Sequence, residues 1–296
     1  MPSVAAWLLA RPQNTVFALV VTMVAPGLAM VSGAILLLVV LQQDLNRAVL
    51  VAALAAAVLL AVALGLGSSP LQALIQITSL WLPVLGLAVI MRSTRSLTLT
   101  LQLSVILIVV GTCLFFAMAS DPVGFWNNLI AADPLLQGFA ESLQQWKVAI
   151  GATDMQFAGV MTTMYAIGFW FGLVAVVLLG YWLFLQLPDN AASYGRFRDL
   201  NFGRVVALIL AVTSVAGFLV DAVWIQSIAF ILFAVFWLQG AAMVHWLKSI
   251  GRVPTIAVGA VYVLTIIFPQ YVFPALAVLG YTDAWFDYRN RVTTQQ

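Results

Sequence analysis

The sequence predicts an all-α, polytopic transmembrane helix bundle with about eight hydrophobic segments, the first and last broken by proline and glycine. Three observations carry this reading. Of the 296 residues, 64% are apolar and 7% are charged, against roughly 45–50% and 25% in a soluble globular chain, so too few polar side chains exist to cover a water-facing surface. The apolar residues gather in runs near the ~20 residues that span a ~30 Å hydrocarbon core. None of these runs alternates with period two and all are too long for barrel strands, so the spanning elements must close their backbone hydrogen bonds within helices. Residues 1–296 therefore read as one integral membrane domain.

The segments fall at about 14–41, 48–66, 70–91, 97–118, 156–187, 205–220, 223–244 and 254–280. Met1 to Ala10 is apolar with no basic residue ahead of it, and Arg11 follows it, so a cleavable signal is not expected and the first segment is retained. The first and last segments are too long for one simple helix and carry breakers, Pro26-Gly27 in the first and Pro269 and Pro274 in the last. Proline removes a helix hydrogen bond and glycine is a weak helix former, so each segment reads either as two half-helices that return the chain to its starting side or as one long kinked helix. Between the fourth and fifth segments, residues 120–154 form an amphipathic loop. There Phe125, Trp126, Leu129 and Ile130, then Leu136, Phe139, Leu143, Trp146 and Ile150, recur at helical spacing around Asp133-Pro134, predicting two short helices that lie at the interface or cap the bundle.

Basic residues accumulate in cytoplasmic loops. Arg47, Arg92, Arg95, Arg196, Arg198, Arg204, Lys248 and Arg252 all fall in alternate loops, whereas the other side holds Lys147 with Asp121, Asp133, Glu141, Asp154 and Asp221. The 120–154 loop is thus expected outside the cytoplasm and the loop through Arg196 to Arg204 inside it. Two half-helices at each end would bring both termini to the cytoplasmic side as well.

Little of the sequence points to catalysis. The net charge of +2 is too small and dispersed for a nucleic-acid footprint. His245 is the lone histidine and Cys113 the lone cysteine, so no zinc constellation, cysteine cluster or intramolecular disulfide can form. No P-loop or dinucleotide fingerprint occurs, and no nucleophile elbow surrounds any serine. No enzymatic activity, metal or cofactor is expected.

Polar groups at membrane depth are the remaining suspects, because burying one unsatisfied costs a few kcal/mol. Gln72, Gln76 and Ser79 share one helical face at i, i+4 and i+7, and Gln226, Ser227 and Gln239 form a second set. Either set could line a small-molecule cavity or hydrogen-bond between helices. His245, at a helix end beside Trp246 and Lys248, reads first as an interface residue and second as a ligand contact. Gly168, Gly172, Gly180 and Gly240-Ala-Ala242 permit close helix approach. Tyr281, Trp285 and Tyr288 recur at i, i+4 and i+7 with Asp283, Asp287, Arg289 and Arg291 interleaved, predicting a C-terminal interfacial helix with aromatics on one face and charge on the others. Arg196, Arg198, Arg204, Trp285 and Arg289 are accordingly candidates for contact with lipid or a cytoplasmic protein partner.

The Pro26-Gly27 break before a long apolar helix, the stretches Phe197-Arg-Asp-Leu-Asn-Phe-Gly-Arg204 and Leu238-Gln-Gly-Ala-Ala-Met-Val-His245, and the ending Leu279-Gly-Tyr-Thr-Asp-Ala-Trp-Phe-Asp-Tyr-Arg289 together resemble the YybS-like family of predicted bacterial membrane proteins (domain of unknown function 2232). The resemblance covers nearly the whole chain. It implies the bacterial inner membrane and a distant similarity to the substrate-binding subunits of energy-coupling-factor transporters, which have six helices, fewer than the segments here. Two functions follow as expectations. One is a substrate-binding or transport-type subunit for a small molecule, energised by a separate partner. The other is a non-transporting scaffold or assembly factor that docks proteins through its cytoplasmic loops.

Overall fold

The computed structural model describes residues 3–43, 45–132, 134–187 and 193–293. Among them the regular elements are all helical: α1 Val4–Ala10, α2 Pro12–Val24, α3 Ala29–Gln42, α4 Leu45–Gly65, α5 Pro70–Thr94, α6 Leu97–Met118, α7 Pro122–Ala132, α8 Pro134–Ile150 and α9 Asp154–Leu185. After a short 3-10 turn at Phe197–Asp199 come α10 Gly203–Leu219, α11 Val223–Ser249, α12 Thr255–Ile267, α13 Pro269–Phe286 and α14 Tyr288–Thr293. Within the single membrane domain read from sequence, packing distinguishes two compact units, residues 1–104 with 170–195 and residues 105–169 with 196–296.

In the first unit α3 is the core. It is apolar all round, as a helix buried on every side must be, and Ser32 through Leu41 are buried. Its one buried hydroxyl is satisfied twice: Ser32 Oγ donates to the Ala29 carbonyl at 2.7 Å and accepts from Trp81 Nε1 at 3.0 Å. The Pro26-Gly27 break separates α2 from α3, Gly27 taking φ +78° in the turn. The two short helices then pack against each other, with α4 and α5 also laid on them. The first segment is therefore two short helices packed together and not one continuous helix. Close approach of α3 to the second half of α9 depends on glycine: a Cβ at Gly180 would lie 2.7 Å from the Ala34 carbonyl oxygen. Arg92, at the end of α5, donates to the Val40 carbonyl at 2.9 Å and to the Gln43 carbonyl, so it caps the carbonyl end of α3. At the chain's start Arg11 interrupts α1 and α2, which meet at 116°; Asn14 Nδ2 to the Trp7 carbonyl (2.8 Å) and Thr15 Oγ1 to the Leu8 carbonyl (2.7 Å) hold the bend.

The second unit is organised around α11, the most buried of its long helices. α13 crosses α11 with backbone against backbone, since a Cβ at Gly240 would sit 1.9 Å from the Leu276 carbonyl oxygen and one at Gly280 2.1 Å from that of Phe236. α10 and α12 cover further faces of α11. Of the two predicted amphipathic helices, α7 turns Trp126 inward: its indole is 4% exposed against Phe157, Ala158 and Met161 and donates to Thr162 Oγ1 at 2.8 Å. Trp126 thus caps the start of α9 instead of lying at an open interface. Asp133 and the side chains of Leu136, Phe139, Leu143, Trp146 and Ile150 fall outside the described residues.

Among the described residues five helices are long and apolar enough to cross a membrane, α4, α5, α6, α9 and α11, or six if the bent pair α1 and α2 is one crossing. Every apolar segment read from sequence lies on helix, yet three are not single helices of crossing length. The first is divided at Ala25–Leu28, α10 has 17 residues and so runs only ~25 Å, and the last is divided at Phe268. In that last segment Pro269 starts α13, at the first-turn position where its missing N–H costs nothing, and Pro274 lies inside the helix without ending it.

Candidate functional site

In the second unit a concavity lies where the first turns of α9 and α11 face each other. Thr153 and Gln156 frame the start of α9 as a reciprocal cap, the Thr153 N–H donating to Gln156 Oε1 at 2.9 Å and the Gln156 N–H to Thr153 Oγ1 at 3.2 Å. Gly159 then lets α11 approach, because a Cβ there would meet Val223 Cγ1 at 2.0 Å. Above this contact the helices part to leave a cavity of about 460 Å³, lined by Val160, Thr163, Met164, Ile167, Gln226 and Phe230 among others. Its hydroxyls are already used locally: Thr163 Oγ1 donates to the Gly159 carbonyl and Ser227 Oγ to the Val223 carbonyl. The Gln226 amide differs. Its Nε2 donates to the Gly217 carbonyl at 3.1 Å and to Asp221 Oδ1 at 3.4 Å, which fixes the side chain, while no described group donates to its Oε1. The result is a mainly apolar space whose wall carries one amide fixed through its donor side, beside hydroxyls that can still accept, the usual composition of a small-molecule site.

No family model, curated protein or solved structure matches this chain. The site must therefore be read from its own residues.

The other residues singled out from sequence separate by role. Gln72 and Gln76 are exposed and line a shallow cavity of about 360 Å³ in the first unit, beside the ends of α2 and α4. Ser79 is not part of that wall; its hydroxyl donates to the Gln76 carbonyl at 2.9 Å. Gln239 is wholly buried and structural: its Oε1 accepts from the Phe202 N–H at 2.8 Å and its Nε2 donates to Asp283 Oδ2 at 3.0 Å. His245 Nε2 shares a 2.8 Å hydrogen bond with the Tyr262 hydroxyl and meets the Phe197 ring edge-on. Arg196, Arg198, His245 and Lys248 gather at one concavity, whereas Arg204 is exposed on α10 and does not join it. Trp285 is half-buried beside Tyr281.

The C-terminal stripe departs from its expected layout. Asp283, expected on a charged outer face, is 0% exposed. Its Oδ2 accepts from Gln239 Nε2 and forms an ion pair with Arg289 Nη2 at 3.1 Å, and Arg289 Nη1 donates onward to the Arg198 carbonyl at 2.7 Å. A buried network therefore ties α11, α13, α14 and the turn at Phe197–Asp199 together, and Arg289 serves it rather than an outer surface. Sequence periodicity could not find it, because the partners of Asp283 are set by the glycine crossing of α11 and α13. The chain leaves the left-handed cap Asp287 at φ 48°, and that reversal brings Arg289 back over the carboxylate.

Among the described residues no group of three or more His, Cys, Asp or Glu side chains could hold a metal ion.

Proposed function

We propose that the protein is a multi-pass subunit of the bacterial inner membrane that binds a small, mainly apolar molecule between α9 and α11. The observation that carries this reading is the 460 Å³, mainly apolar cavity with the Gln226 amide, fixed through its Nε2, in its wall. An occupant of this site would bury hydrocarbon against Val160, Ile167 and Phe230 and present one N–H or O–H to Gln226. The chain carries no nucleotide-binding motif, so transport would need an energising partner, in keeping with the resemblance to substrate-binding subunits. Basic residues on alternate loops orient Arg196, Arg204 and Lys248 toward the cytoplasm and the cavity toward the opposite face.

A second reading, a scaffold that docks soluble proteins, draws on the exposed Arg196, Arg204 and Lys248. Native mass spectrometry of the protein released from nanodiscs separates the two. A bound metabolite that is weakened in Gln226→Leu and lost in Ile167→Trp supports the binding subunit; a stable protein complex with an empty cavity supports the scaffold.

A further inference from the structure

We propose that the concavity at the carboxyl end of α11 binds a phosphate group, supplied either by a phospholipid headgroup or by a phosphorylated solute. This inference does not rest on the cavity between α9 and α11. Arg196, Phe197, Arg198, His245, Lys248 and Ser249 line an open concavity of about 410 Å³, enough for a phosphate with its attached polar group. Three permanent cations converge there, and none of the lining residues is acidic. Among the described residues Asp199 stands 3.9 Å from Arg198 Nε in a solvent-exposed pair, and no carboxylate pairs with Arg196 or Lys248. Like charges held together repel unless an anion joins them, and guanidinium forks match phosphate oxygens in pairs.

The site is built rather than incidental. The Phe197–Asp199 turn that carries the arginines is fastened at three points: the Asp199 N–H to the Arg196 carbonyl at 2.9 Å, Arg289 Nη1 to the Arg198 carbonyl at 2.7 Å, and the following Phe202 N–H to Gln239 Oε1 at 2.8 Å. The last two anchors belong to the buried Asp283 network, so a wholly buried carboxylate and amide hold a surface turn in place. His245 is fixed in turn by the Tyr262 hydroxyl and by the Phe197 edge. Such preorganisation lowers the ordering cost of binding. Position agrees as well: α11 is one of the helices long and apolar enough to cross a membrane, and His245, Lys248 and Ser249 occupy its end, the depth at which lipid phosphates lie.

The test uses the full chain in nanodiscs of neutral phosphatidylcholine, with and without phosphatidylglycerol, and titration with inorganic phosphate. Native mass spectrometry counts retained phosphatidylglycerol, and calorimetry reads phosphate binding. The triple variant Arg196→Gln/Arg198→Gln/Lys248→Gln should lose at least tenfold in affinity, while Arg47→Gln/Arg95→Gln/Arg252→Gln, which removes the same charge elsewhere, should bind like the wild type. Retention of phosphatidylglycerol without a phosphate signal assigns the site to lipid; phosphate binding in neutral discs assigns it to a solute. Should the triple variant fail to fold, Lys248→Gln alone carries the test, with a several-fold loss expected. Equal binding by the pocket and control variants, or no binding of either probe by the wild type, overturns the proposal.

Discussion

Replacing Gly240 by alanine tests how the second unit is held together. The new Cβ would stand 1.9 Å from the Leu276 carbonyl oxygen, 2.7 Å from its carbon and 3.1 Å from its Cα. All three are backbone atoms, so no rotamer change relieves the clash and one helix must retreat by roughly 1 Å, the overpacking regime that costs about 1–3 kcal/mol. The same movement acts one residue away on Gln239. Its 3.0 Å hydrogen bond to Asp283 would stretch past the useful limit, and losing a bond to a charged group adds about 1.5–3 kcal/mol. Gly240→Ala should therefore destabilise by about 2.5–6 kcal/mol in all, and Gly280→Ala, with its Cβ 2.6 Å from the Gly240 nitrogen, by a similar amount. Gly168→Ala is the control. It lies mid-helix in α9 with nothing within 4 Å of the added carbon, so the gain in helix propensity should stabilise by up to ~1 kcal/mol. Reversible unfolding in mixed detergent–SDS micelles, followed by tryptophan fluorescence, measures all three. If Gly240→Ala unfolds within about 0.5 kcal/mol of the wild type, the backbone crossing is wrong.

Further outcomes follow from individual contacts. Asp283→Ala strands the buried Arg289 guanidinium and should cost about 3–5 kcal/mol, whereas Asp283→Ala/Arg289→Met should recover a large part of that loss; additive losses in the same unfolding assay would deny the pairing. Trp126→Phe removes the indole donor to Thr162, whose hydroxyl keeps its own bond to the Ala158 carbonyl, so the expected cost is only about 0.5–1.5 kcal/mol; a null effect would place Trp126 outside the cluster. Arg95 closes α5 at φ 50°, a conformation that costs most residues about 1–2 kcal/mol, so Arg95→Gly should raise the unfolding midpoint. A lower midpoint would mean that the arginine side chain matters more than its backbone.

The apolar runs made the helices legible because hydrocarbon-facing backbone has few alternatives, and the break at Pro26-Gly27 stands where proline and glycine put it. The end of the last segment was less legible. Two prolines advertise a break, but only Pro269 marks one, since proline in a first turn starts a helix instead of interrupting it. The site was half visible. Gln226 reads as a polar group among apolar neighbours and does line the cavity, whereas Gln239 gives the same signal and is a structural bond donor to Asp283. Composition cannot distinguish these two glutamines; which face of α11 meets α13 decides it, and that depends on Gly240 and Gly280. For the same reason Asp283 looked like surface charge. Its partners lie 44 residues away at Gln239 and beyond a left-handed turn at Arg289, beyond the reach of any helical period.

The central claim is that the space between α9 and α11 holds a small molecule through Gln226. Its most direct test is native mass spectrometry of the wild type, Gln226→Leu and Ile167→Trp released from nanodiscs prepared from the native membrane. The account predicts a reproducible non-lipid mass adduct on the wild type that is weakened in Gln226→Leu and absent in Ile167→Trp, with the folded fraction unchanged in all three. A wild type that carries no adduct, or an adduct that survives the tryptophan filling the cavity, would contradict it.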